Sequence, residues 1–183
     1  MKKIILTLFL SSFIYSCTSN DNLSNTISLE GAIFTRSSYV LETPVDGNND
    51  GVFSNDLMEE NFCFDLNLRF NAQTTSSIPT NDVFLLNVVD DGNGNLIQQM
   101  NCAHGDGPGM DYTIEDNVVS FSRNDEFMYS GVISADGNTI TINFDSEDLF
   151  AFTLWFNPEN EILNPDGTIT NYVGSAVVTY TRQ

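Results

Sequence analysis

The sequence predicts an all-β, antiparallel domain, either an up-and-down barrel or a β-sandwich, with very little helix. Three observations carry that expectation. Apolar and polar residues alternate along many short segments, and no long segment repeats its apolar residues at helical spacing. Clusters of Asp, Asn and Gly punctuate the chain at the regular intervals expected of hairpin turns. The chain is also rich in residues that suit a pleated surface, with 14 Phe and 6 Tyr among 183 residues.

The N-terminus reads as an export signal. Met1-Lys2-Lys3 is a positive start, and the apolar run from Ile4 to Leu10, continued by Phe13, Ile14 and Tyr15, is too short to span a bilayer as a helix. The run closes on Ile14-Tyr15-Ser16-Cys17, which resembles the bacterial lipobox. Residues 1–16 are therefore expected to be a lipoprotein signal peptide, and Cys17 the lipidated N-terminus. Residues 17–26 are small and polar, as a tether would be. Residues 27–183 are expected to form a single β domain, carried by an outer-membrane lipoprotein on its periplasmic or cell-surface face.

Within that domain the first strand is expected at about 28–42. The clearest alternation follows, with Phe62, Phe64, Leu66, Leu68 and Phe70 on one face and Asp65, Asn67 and Arg69 on the other. Further strands are expected at about 82–89, 95–101, 110–115, 117–122, 127–134, 140–144, 150–156 and 172–181. Asp91 to Asn95, Asp136 to Asn138 and Asn164 to Gly167 read as turns, because Gly and Asn accept the positive φ that tight reversals need. One short helix is expected at Asn55 to Glu60, with Ser54 as its N-cap.

Charge limits the partners. Past the signal the chain keeps four arginines against 25 acidic residues, a formal charge of −21. Such an acidic protein repels phosphate backbones and anionic headgroups, which excludes nucleic acid and leaves the lipid to supply membrane attachment. Divalent cations are its natural counterions. With Cys17 acylated, Cys63 and Cys102 remain, and in an oxidising compartment they are expected to form a disulfide, two free thiols being the alternative. Closing a loop of about 40 residues would stabilise the fold by ~3–4 kcal/mol.

The most specific chemical signal is Asp46-Gly47-Asn48-Asn49-Asp50-Gly51-Val52, followed by Asp56 and Glu60. Oxygen-bearing side chains alternate at the first, third and fifth positions, and a Gly follows, as in an EF-hand calcium loop. Calcium takes six to eight hard oxygens, and alternate side chains on a tight loop supply them efficiently. The expected ligands are Asp46, Asn48, Asp50, the Val52 carbonyl, Asp56 and Glu60, holding a structural calcium. The pattern departs from an EF-hand in having Leu57 at the twelfth position and a strand, Ser38 to Leu41, on its N-terminal side.

No catalytic residues stand out. His104 is the single histidine and falls in the Gly-rich stretch Cys102 to Gly109, which reads as a loop. One imidazole is a poor start for a zinc site or a nucleophilic triad. Paired carboxylates could serve a hydrolase, but no spacing singles out two. Trp155 reads as core or as a strand-face anchor.

Leu29-Glu30-Gly31, a first strand ending near Leu41-Glu42, the run Asp46-x-Asn48-x-Asp50-Gly51, then Asp56-Leu57-x-x-Glu60 and Cys63 resemble the small lipocalin-like lipoproteins of the Bacteroidota. The resemblance covers residues 28–72 and implies a small antiparallel β-barrel, with Asp46, Asn48, Asp50, Asp56 and Glu60 as calcium ligands. Ile33 stands where lipocalins usually carry the Trp that closes the barrel, which leaves the sandwich open. The expected role is binding, of a small apolar or amphiphilic ligand or of a partner protein. A structural module and a carboxylate-dependent hydrolase are the alternatives.

Overall fold

The computed structural model describes residues 27–60, 67–75, 82–104, 109–145 and 160–183. In chain order the elements are β1 (Ile33–Val45), β2 (Ser54–Asp56), α1 (Leu57–Glu60), β3 (Asn67–Arg69), β4 (Asp82–Asp90), β5 (Leu96–His104) and β6 (Asp111–Glu115). They continue with β7 (Val118–Arg123), β8 (Glu126–Ile133), β9 (Thr139–Phe144), β10 (Glu161–Leu163), β11 (Ile169–Asn171) and β12 (Ala176–Arg182). Every paired strand is antiparallel, and the one described helix is a single turn. The all-β prediction holds.

The main sheet runs β2-β1-β12-β9-β8-β7-β6. β1 is 13 residues long, so one of its edges serves two short partners, β3 at its start and β2 at its end. The sheet also curls back on itself. Phe70, just past β3, bridges to Thr75, and Thr74 bridges to Asp111 in β6. Thr75 N–H donates to the Met110 carbonyl (2.8 Å) and Tyr112 N–H to the Gln73 carbonyl (3.1 Å). Residues 71–75 thus link the free edge of β3 to that of β6 through these bridges.

Alternation explains which residues form the core. Val119 and Phe121, Tyr129 and Ile133, Ile140, Ile142 and Phe144, and Val178 and Tyr180 are all buried, on the inward-facing positions of their strands. In β1 the inward residues are Phe34 and Arg36, then Tyr39 and Leu41. A bulge between Arg36 and Ser38 inserts the residue that changes the phase. Aromatic rings form a continuous chain: Phe34–Phe70 (5.7 Å between centroids), Phe70–Phe121 (6.2 Å), Phe121–Tyr129 (5.2 Å) and Tyr129–Phe144 (5.2 Å). Gly131 lets β9 approach β8, since a Cβ there would lie 2.8 Å from Ile140 Cγ2.

Two hairpins, β4–β5 and β10–β11, stand apart from this sheet, though Leu86 and Ile162 belong to the same buried apolar cluster. Polar side chains hold the hairpins together. Leu86 N–H donates to Asn160 Oδ1 (3.0 Å) and Val88 N–H to Glu161 Oε2 (3.2 Å). Gln98, only 2% exposed, donates through Nε2 to the Asn87 and Glu161 carbonyls and accepts from Leu163 N–H.

Several boundaries differ from expectation. The first strand starts at Ile33, because Glu30 and Gly31 make a turn in which Gly31 has φ +77°. The last begins at Ala176, four residues later than expected. Cys102 and His104 lie in β5, not in a loop, because pairing with β4 (Asp82 opposite His104, Phe84 opposite Cys102) extends the strand into the start of the Gly-rich stretch. The signal segment, Cys17 and its tether, Cys63 and the expected strand at 150–156 with Trp155 lie outside the described residues.

Candidate metal centre

The loop between β1 and β2 is built from its own side-chain oxygens. Asp46 Oδ1 accepts from Asp50 N–H (2.9 Å) and Oδ2 from Gly51 N–H (2.9 Å). Asn48 Oδ1 accepts from Asp50 N–H (2.9 Å), and Asp50 Oδ1 accepts from Val52 N–H (2.8 Å). Each acidic or amide side chain at the alternating positions therefore turns the backbone two to five residues ahead of it. These oxygens keep lone pairs beyond the ones so used. Gly51 has φ +86°, which permits the sharp bend the sequence pattern calls for, and Asn49 takes φ +59°.

Glu60 reaches the same loop from the end of α1. It is 5% exposed, and its Oε2 accepts from Gly47 N–H (2.9 Å) and Asn48 N–H (3.4 Å). Among the described residues nothing donates to its other oxygen, and no cationic side chain pairs with it. A carboxylate taken out of water costs several kcal/mol when its charge is left uncompensated.

Asp56 is held differently. Its Oδ1 accepts from Tyr39 N–H (2.9 Å) and from Met58 N–H (3.0 Å), so it caps α1 and ties it to β1. The helix begins at Leu57, two residues later than the sequence suggests, and Asp56, not Ser54, is the cap. Ser54 is drawn into β2 by pairing with Val45, and its hydroxyl accepts from Asp56 N–H (3.0 Å) and donates to Glu59 Oε2 (2.7 Å). Among the described residues, Asp56 Oδ2 is the oxygen left over. Val52 is 64% exposed, and its N–H donates to Asp50 Oδ1 (2.8 Å).

The structure thus gathers Asp46, Asn48, Asp50 and Glu60 around one short loop, with Asp56 at the adjoining helix cap. Among the described residues no three His, Cys, Asp or Glu side chains form a ready-made metal cluster. Two participants escaped the sequence reading. The Asn49 carboxamide pairs with the Gln98 backbone, Nδ2 donating to the carbonyl (2.9 Å) and Oδ1 accepting from N–H (3.0 Å). Gly47 lies so close to β5 that a Cβ would meet Met100 Sδ at 1.9 Å. The contact to Gln98 spans 49 residues, and no local pattern could announce it. No family model matches the chain, and neither the curated proteins nor the solved structures contain a match.

Proposed function

We propose that the protein is a lipoprotein of the outer membrane, anchored through Cys17, whose lipocalin-like β domain binds calcium at residues 46–60 and serves as a binding module, not an enzyme. The ion's role is structural. Asp46, Asn48, Asp50, the Val52 carbonyl and Glu60 supply its oxygens, with Asp56 Oδ2 completing the set. A Cys63–Cys102 disulfide belongs to the same reading of an exported domain.

One observation carries the calcium reading. A buried Glu60 carboxylate, with an oxygen that no described group satisfies, adjoins a loop whose three alternating side chains already curl it in the EF-hand manner. A hard divalent cation supplies the missing compensation for that charge and for Asp46 and Asp50 beside it.

The aromatic chain through the core supports a partner protein or an amphiphile held at the surface over an apolar ligand carried inside. Phe127 and Val173 are the most exposed of the six large apolar side chains that the described residues leave open to such contact.

Thermal unfolding with calcium and with EDTA tests the reading. At calcium one hundred times its dissociation constant, binding to the folded state alone adds about 2.7 kcal/mol. For a domain of this size the midpoint then falls by roughly 5–10 °C on chelation. An unchanged midpoint at saturating calcium overturns the reading.

A further inference from the structure

Resting on the calcium reading of the loop, we propose that the same ion controls how firmly the β4–β5 and β10–β11 hairpins are held together against the main sheet, with Asn49 and Gln98 as the positioning residues. The loop and the hairpin layer meet through one reciprocal pair. Asn49 lies between two of the candidate ligands, Asn48 and Asp50. Its carboxamide both donates to and accepts from the Gln98 backbone, as a peptide group of a neighbouring strand would.

Gln98 is the hub of the layer. Its side chain, almost wholly buried, contacts β4 through the Asn87 carbonyl and β10 through the Glu161 carbonyl and Leu163 N–H. A group with three satisfied bonds in a buried setting has few other arrangements, and leaving any of them unmade is costly. Fixing Gln98 fixes three strands.

The loop supplies that fixing only while it keeps its shape. Asn49 has φ +59°, a conformation Asn tolerates at some cost, so something must hold it there. Asp46 accepts from Asp50 and Gly51 N–H, and Glu60 from Gly47 and Asn48 N–H, on either side of it. With Asp50, the loop thus carries three carboxylates that repel one another without a cation. The cation collapses the loop onto its ligands and delivers the Asn49 amide to Gln98. The close approach of Gly47 to Met100 adds a second contact that depends on the same loop shape.

Residue-resolved amide hydrogen exchange on the full domain, in calcium and in EDTA, tests the coupling. The amides to follow are Gln98, Leu163, Leu86 and Val88, each of which donates to a side chain of this network. Relative to amides of β9, they are expected to exchange about tenfold faster on chelation, an ordinary size for coupling between two sites. Asn49→Gly removes the linking carboxamide while suiting the positive φ, so the variant keeps its fold. It should still take up calcium by calorimetry but lose the calcium dependence at Leu163, Leu86 and Val88. If the wild type binds calcium and these amides ignore it, or if Asn49→Gly retains the full response, the coupling is wrong and the calcium site stands. If the wild type takes up no calcium, the calcium reading falls and the coupling with it.

Discussion

Two loops of this molecule have nearly the same composition, and only one of them resembles a cation site. Residues 46–51 and 90–95 are both runs of Asp, Asn and Gly, and both curl through side-chain oxygens accepting from backbone N–H groups a few residues on. In the second loop the asparagines spend their amide nitrogens on the carboxylate. Asp91 Oδ2 accepts from Asn95 Nδ2 (3.0 Å) and Asn93 Nδ2 (3.4 Å), while Oδ1 accepts from the N–H groups of Asn93 and Asn95. That turn satisfies its own charge and is exposed throughout. In the first loop Asn48 offers its oxygen, Asn49 turns its amide away to Gln98, and the buried Glu60 brings one more carboxylate. The difference lies in which end of each asparagine faces the acid, and in what the fold packs beside the loop.

The largest expected contrast is at Glu60. Glu60→Ala removes a buried carboxylate and leaves the half-buried Gly47 N–H without its acceptor, and is expected to cost roughly 1–2 kcal/mol. Asp91→Ala, in the self-contained and exposed turn, should lower the urea midpoint by clearly less. Equal midpoints for the two variants would mean that Glu60 does not organise its loop.

The glycines of the two loops should behave alike. Gly51 (φ +86°) and Gly92 (φ +85°) both have open space where a Cβ would go. Alanine at either therefore costs backbone strain alone, about 1–2 kcal/mol by urea unfolding. A much larger loss at Gly51 in calcium, vanishing in EDTA, would assign the excess to the ion.

The smallest effect concerns acid. The side-chain donor Asn95 and the N–H groups of Asn93 and Asn95 hold the Asp91 carboxyl down to about 2, from an ordinary 3.8. Its contribution to stability is therefore complete above the ordinary value and is lost as pH falls toward about 2. A carboxyl titration by carbon NMR should give a midpoint near 2 for Asp91, and a midpoint at 3.8 would mean the turn is not formed in solution.

How much of this was legible in the sequence follows from range. Alternation in β7, β8 and β9 reports which face each residue takes, so those strands and the turns between them fall close to where the pattern put them. Of the four three-residue strands, β3 closes a segment whose alternation was readable, whereas β2, β10 and β11 are too short to alternate and only their partners define them. The helix start was misplaced because the pairing of Ser54 with Val45 draws that residue into a strand, and Asp56, a cap residue of equal chemistry, takes over. At the loop, the spacing of Asp46, Asn48, Asp50 and Gly51 was readable, since Asx side chains act on backbone a few residues away. The burial of Glu60 and the role of Gln98 depend on packing between distant segments. The fate of each Asn amide depends on the same packing, so composition alone could not separate the two loops.

Calcium titration by calorimetry addresses the central claim most directly, using two double variants that carry the same change of charge. The wild type and Asp90→Asn/Asp91→Asn are expected to show saturable uptake of one calcium, and Asp46→Asn/Asp50→Asn none. No uptake by the wild type, or equal uptake by both variants, would contradict the account.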